Sequence, residues 1–167
     1  PGVRVAFMVR LPSSMRVAER RRVSGLMSHL DVVPTLLDLL DVAIPENIQG
    51  ASLAEAWTTG APTGRSEVFL EKTYHADYDP IRAIRTETLK YIRNFEPRPL
   101  LDLPPDLEAS LTRQGMGDAH LAARPKEELY DLVEDPLETT NLVGVPAQQA
   151  TLSELRRRLD DFLVATD

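Results

Sequence analysis

The 167-residue chain contains no cysteine, three histidines (His29, His75 and His120), 5% aromatic residues and no uninterrupted apolar run of about 18 residues. Without cysteine there is no disulfide framework, no thiolate metal site and no thiol nucleophile. Three scattered histidines leave little material for an imidazole-rich metal centre. The short apolar runs predict no membrane span. The first residues, Pro1-Gly2-Val3-Arg4, lack the basic-then-apolar order of an export signal. The chain opens on Pro1 rather than methionine, inside an apolar run, as expected of a piece of something longer. Its compartment stays open, since the parent is compatible with the cytoplasm or with export.

What is present is ordinary for a folded core: 43% apolar and 27% charged residues. The net charge of −7 is unevenly spread. Residues 1–30 carry six arginines against Glu19 alone, and residues 101–167 carry 14 acids against 6 bases. A net-acidic chain with few aromatics is not built to bind nucleic acid, which needs a sustained basic face with stacking platforms. The run Arg20-Arg21-Arg22 is a candidate anion contact; otherwise it is a solvated face.

The run 3–10, rich in valine and closed by Leu11-Pro12-Ser13-Ser14, predicts a buried strand. After a polar connection over 13–27, Leu30, Val33, Leu36, Leu37 and Leu40 recur at helical spacing. Ser28 and Asp31 fit a capping box, but Asp31 is the expected cap, because it leaves Pro34 in the first turn where its missing donor costs nothing. A short helical turn is expected over 53–57, and Gly60-Ala61-Pro62-Thr63-Gly64 marks a boundary between 1–64 and 65–167. Beyond it come a strand at 67–71, a hairpin over 81–94 turning at Glu87-Thr88, a proline-rich excursion with one short helix over 107–111, and a strand at 128–132. The alternation of apolar and basic residues in the hairpin predicts a sheet with one buried face. Leu152, Leu155, Leu159, Phe162 and Leu163 share one face of a terminal helix over 146–165. About four antiparallel strands packed on one helix make an α+β unit.

Local constellations for chemistry are thin. His29 and Asp31 are two potential ligands and no more, with Asp31 already assigned as a cap. Asp77 and Asp79 lack the glycine and closing glutamate of a calcium loop and read as turn-formers. Gly115-Met116-Gly117 follows no strand, and Ser13 and Ser14 have no nucleophile elbow. The richest cluster is Glu71-Lys72-Thr73-Tyr74-His75-Ala76-Asp77-Tyr78-Asp79, a loop of cation, imidazole, carboxylates and rings. It is either a substrate-contacting loop or an exposed polar one.

Five stretches stand in a telling order: Arg4 to Pro12, Ser28 to Leu39, Gln49-Gly50-Ala51-Ser52-Leu53, Arg82 to Ile92, and Glu128 to Leu142. The last is the most specific, with Tyr130, Asp135-Pro136, Glu138 and Asn141-Leu142 at fixed offsets. In order and spacing they resemble the C-terminal half of sulfatases of the alkaline-phosphatase superfamily, most nearly the sulfamidase branch. Ala6, where that family has proline, and Leu89, in place of a common aromatic, depart from the pattern. The resemblance implies α/β to α+β architecture. Residues 1–64 would be a strand and helix from the edge of a large alkaline-phosphatase-like α/β domain, and 65–167 the smaller C-terminal subdomain.

The resemblance also implies sulfuric ester hydrolysis by a formylglycine, made from Cys or Ser in a C/S-x-P-x-R motif, beside a calcium ion. Neither that motif nor an Asp-His-Gly triplet occurs here, so both groups are expected in a missing N-terminal catalytic part. The chain alone is expected to be inactive, with no catalytic and no metal-binding residue of its own. His75 is the leading candidate for contact with a sulfated small molecule or glycan, with Lys72 and Tyr74 next. Phosphodiester or phosphonate monoester hydrolysis, or a non-catalytic binding module, are the alternatives. Strand 3–10, if left unpaired, predicts self-association.

Overall fold

A computed structural model describes residues 3–15, 22–75 and 77–166. The chain folds as two compact units, Pro1–Val68 and Phe69–Asp167.

In the first unit, residues 4–10 carry no regular secondary structure and enter no ladder among the described residues. Val5, Phe7 and Val9 are exposed, and Met8 is 92% exposed. This corrects the expected buried strand: strand-forming composition yields a strand only when a neighbour supplies the ladder's hydrogen bonds. Phe7 still finds a partner, its ring 5.7 Å from that of Trp57. The connection over 13–27 begins with a 3₁₀ turn, Ser13–Met15, and its residues 16–21 lie outside the described ones.

The capping box forms on the turn before the helix, and Asp31 holds the N-cap position of the helix itself, as expected. Ser28 heads a 3₁₀ turn, His29–Asp31, and its backbone N–H donates to the Asp31 carboxylate at 2.8 Å. That turn runs into helix α1 (Val32–Leu39), where Asp31 makes no side-chain cap bond and Pro34 sits in the first turn as expected. Helix α1 is inverted relative to its pattern. Asp31, Pro34 and Thr35 are buried, while Leu30, Val33, Leu36 and Leu40 are exposed.

The polar side of α1 holds the segment that follows it. The Thr35 hydroxyl donates to Asp31 O at 2.5 Å and accepts from Leu53 N–H at 2.9 Å. The Asp31 carboxylate accepts from Ala51 N–H at 3.0 Å and from the Arg65 guanidinium. Gly50 is required at this crossing, since a Cβ there would lie 1.9 Å from Leu30 O. Helix α2 (Ala54–Thr59) then stops on left-handed Gly60, φ 80°.

The second unit is built on a four-stranded sheet of order β1-β2-β3-β4: β1 (Glu67–Tyr74), β2 (Tyr78–Thr86), β3 (Leu89–Asn94) and β4 (Glu127–Asp131). The hairpin turns at Glu87-Thr88 as its sequence predicts. Ile84, Tyr91 and Leu129 stand in one cross-strand row. They form the core with Leu152, Leu155 and Leu159 of helix α5 (Gln149–Thr166). Phe69 and Phe162 stack at 3.9 Å beside it. The same face ends in a polar flank, where Arg93 meets Asp160 at 2.5 Å and Arg156 and the Tyr91 hydroxyl meet Glu127.

The opposite face is also covered, correcting the expectation of one buried face. Ala83, Lys90, Asn94, Glu128 and Tyr130 are all buried. Pairing among its polar groups offsets much of the burial, although Asn94 Oδ1 has no partner among the described residues: Lys90 pairs with Glu138, and Glu128 accepts from Asn94 at 2.7 Å and from the Tyr130 hydroxyl at 2.5 Å. After β4, Asn141 stands in for a further strand along the sheet edge, accepting from Leu129 N–H and donating to Glu127 O, each at 3.0 Å.

The proline-rich excursion is tied at its base. Pro99 bridges Ala123, Leu100 N–H donates to Ala122 O at 2.7 Å, and Arg124 N–H donates to Arg98 O at 3.0 Å. It carries two short helices where one was expected, α3 (Pro105–Glu108) and α4 (Leu111–Met116).

Candidate functional site

The β1–β2 hairpin ends in an exposed polar turn, and the tied base of the excursion lies against it. Lys72, His75, Asp77 and Asp79 from the hairpin and Asp102, Leu103 and Pro104 from the excursion line one cleft within the second unit. Two of the three candidate contacts, Lys72 and His75, therefore meet in one place. Tyr74 does not line the cleft; it ends β1 at 68% exposure.

Asp79 organises the cleft. It is 1% exposed, at the start of β2, and accepts from Lys72 Nζ at 2.6 Å and from both terminal nitrogens of Arg124. The Arg124 guanidinium holds its carboxyl down to about 2, against burial, with Lys72 assisting. Asp79 is thus a buried ion-pair member and not the turn-former its position before Pro80 suggests.

A second arginine of the same base fixes the turn itself. Arg98 donates to Tyr78 O at 2.9 Å and lies 3.6 Å from Asp77 and 3.2 Å from Asp102. On the outer side Arg82 donates to Lys72 O at 2.8 Å and to the Thr73 hydroxyl at 3.1 Å. His75 is exposed, its backbone N–H donating to Asp77 O at 3.2 Å. The turn is thereby preorganised, with an imidazole and an ammonium presented at its surface. Such a rim can donate hydrogen bonds to an anionic ligand.

The sequence put Lys72 and His75 forward as candidates, and the bracing residues Arg98 and Arg124 were not among them. Their one signal was the spacing of two arginines around a proline-rich segment.

Neither buried carboxylate in question has a free oxygen for a cation. Both oxygens of Asp31 are taken by Ser28, Ala51 and Arg65, and both of Asp79 by Lys72 and Arg124. Among the described residues no group of three or more His, Asp and Glu side chains fits a metal ion. The residues present do not fit the calcium site that the resemblance implies. Of the Arg20-Arg21-Arg22 run, Arg20 and Arg21 lie outside the described residues, and Arg22 is exposed.

The family described as "N-sulphoglucosamine sulphohydrolase, C-terminal" matches residues 1–109. The chain belongs to that family. It is 29% identical to an ulvan-active sulfatase of Formosa agariphila, covering 98% of this chain and 29% of the relative. A solved 2-O GAG sulfatase superposes with a TM-score of 0.56 at 29% identity, covering 81% of this chain and 24% of its own. A structure in complex with its substrate D-glucosamine-2-N,6-O-disulfate shares the fold, with a TM-score of 0.56 at 23% identity over 79% of this chain and 23% of that one.

The chain thus spans under a third of the length of these relatives. Its fold is that of the C-terminal part of sulfatases of the alkaline-phosphatase superfamily, with a four-stranded antiparallel sheet and a terminal helix. In the motif most specific to the resemblance, Glu128 to Leu142, five residues have structural tasks. Glu128 and Tyr130 fill the second sheet face, the Asp135 carboxylate accepts from the Thr139 and Thr140 N–H groups at 2.7 and 2.8 Å, Glu138 pairs with Lys90, and Asn141 closes the sheet edge.

Proposed function

We propose that the chain is the C-terminal portion of a sulfatase-type hydrolase acting on sulfate esters or N-sulfated sugars, and that it supplies scaffold and substrate-rim contacts without the catalytic centre. The cleft carries this reading: Lys72 and His75 stand together on a braced hairpin in a chain of a sulfatase family. Relatives named for ulvan and for a glycosaminoglycan favour a glycan over a small aryl ester.

In this reading the nucleophile and calcium belong to an N-terminal part. A scaffold role fits the first unit, where α1 and its flanking turns leave Leu30, Val33, Leu36 and Leu40 exposed and give the N-terminal part an apolar surface to cover. Alone, the chain turns over no sulfate ester.

The test is a ligand-observed NMR titration of the chain with glucosamine N-sulfate, unsulfated glucosamine and a phosphonate monoester, alongside an assay with a fluorogenic aryl sulfate. We expect binding of the sulfated sugar alone, weakened about fivefold or more by His75→Ala, and no turnover. Turnover by the chain, or a sulfated sugar bound no better than glucosamine, would overturn the reading. Preference for the phosphonate would move it to the phosphonate branch of the superfamily.

A further inference from the structure

We infer that Lys72 is an exchangeable anion-binding cation, and that Arg124 is the positioning residue that lets it leave Asp79. The inference rests on the reading of the cleft as a substrate rim.

One carboxylate here holds two cations of very different accessibility. The Asp79 side chain is 2% exposed, Arg124 8% and Lys72 40%. Stripping a buried carboxylate of its only counter-charge is costly. Arg124 reaches both oxygens of Asp79 in the fork geometry that suits a carboxylate, whereas Lys72 reaches one. Asp79 therefore stays paired when Lys72 departs.

Lys72 has a flexible stem, partial exposure and a place on the cleft wall, so it can trade one charge-assisted hydrogen bond for another to an incoming sulfo group. The other acids facing the cleft do not forbid this, because Arg98 stands beside both Asp77 and Asp102. Arg82 is engaged with Lys72 O and Thr73 and lies 3.9 Å from Glu71, so it is committed to the hairpin. Arg124 itself does not line the cleft.

The experiment is a titration of the whole chain and its variants with glucosamine N-sulfate, with circular dichroism to confirm folding. Lys72→Ala should weaken binding about tenfold. Arg124→Gln leaves Lys72 as the sole cation on Asp79 and should weaken binding to a similar degree, although Arg124 touches no ligand. The double variant should bind no worse than either single one, and Arg124→Lys should restore most of the affinity.

If Arg124→Gln does not fold, Asp79→Asn serves instead: it releases Lys72 and should bind at least as tightly as wild type. Wild-type affinity in Arg124→Gln, losses that multiply in the double variant, or weaker binding by Asp79→Asn would each overturn the exchange. Failure of the wild-type chain to bind the sulfated sugar would instead remove the rim itself, and the exchange with it.

Discussion

At the scale of single residues, the fold rests on two buried carboxylates that bind different parts of the chain. Asp31 gathers two backbone N–H groups and Arg65, and Asp79 gathers Lys72 and Arg124. Asp79 makes stability depend on pH with a definite sign. Its carboxyl sits at about 2 in the folded chain against an ordinary 3.8. The stabilisation is therefore complete above about pH 4 and lost as pH falls toward 2, with a magnitude on the order of 2 kcal/mol. Urea unfolding midpoints between pH 2 and 6 check this. Asp79→Asn should flatten the acid limb and lower stability at neutral pH by about 3 kcal/mol, since Arg124 is left buried without its partner. An acid limb unchanged by the substitution would count against the assignment. The role of Asp79 was not legible from sequence because Arg124 lies 45 residues away; that Lys72 and His75 share a polar turn between two strands was legible because that signal is local.

At the scale of elements, the sequence reads well wherever an element's burial is settled by the chain itself. The hairpin, β4 and α5 fall where their periodicity puts them, because their apolar residues meet one another in the row Ile84, Tyr91, Leu129 and on α5. Periodicity misleads where the partner is a polar group or is not among the described residues. Helix α1 has an apolar stripe as clear as that of α5, yet Thr35 and the preceding Asp31 are buried while Val33 and Leu36 are exposed and Leu37 is half-buried. The run 3–10 has strand composition and enters no ladder among the described residues. Leu159, 1% exposed, should therefore cost about 2–5 kcal/mol when changed to Ala. Leu36, 46% exposed, should cost within about 0.5 kcal/mol despite its equal place in the helical pattern. Thermal or urea unfolding of the two variants separates these cases, and comparable losses would show that the α1 stripe is buried in solution.

At the scale of the whole molecule, the exposed apolar surface of the first unit and the short span of the chain relative to its sulfatase relatives bear on the same question. Soluble monomers rarely display contiguous apolar patches beyond a few hundred Å². Here Leu30, Val33, Leu36 and Leu40 on α1 and its flanking turns and Val5, Phe7, Met8 and Val9 on the run 3–10 are exposed in one small unit. A valine-rich segment that enters no ladder among the described residues is a candidate edge for a further strand, and its exposed apolar side chains favour pairing with another chain. If an N-terminal catalytic part is the natural occupant of this surface, the chain without it should satisfy the surface with a second copy. Sedimentation velocity should then show concentration-dependent association. Val5→Lys together with Leu36→Glu should suppress it while leaving the unfolding of the second unit unchanged, because neither position belongs to that unit's core. A monomer at every concentration would count against the surface as a pairing edge. Association that survives both substitutions would place the contact elsewhere, with the exposed leucines of the excursion, Leu100, Leu101 and Leu111, the next surface to change.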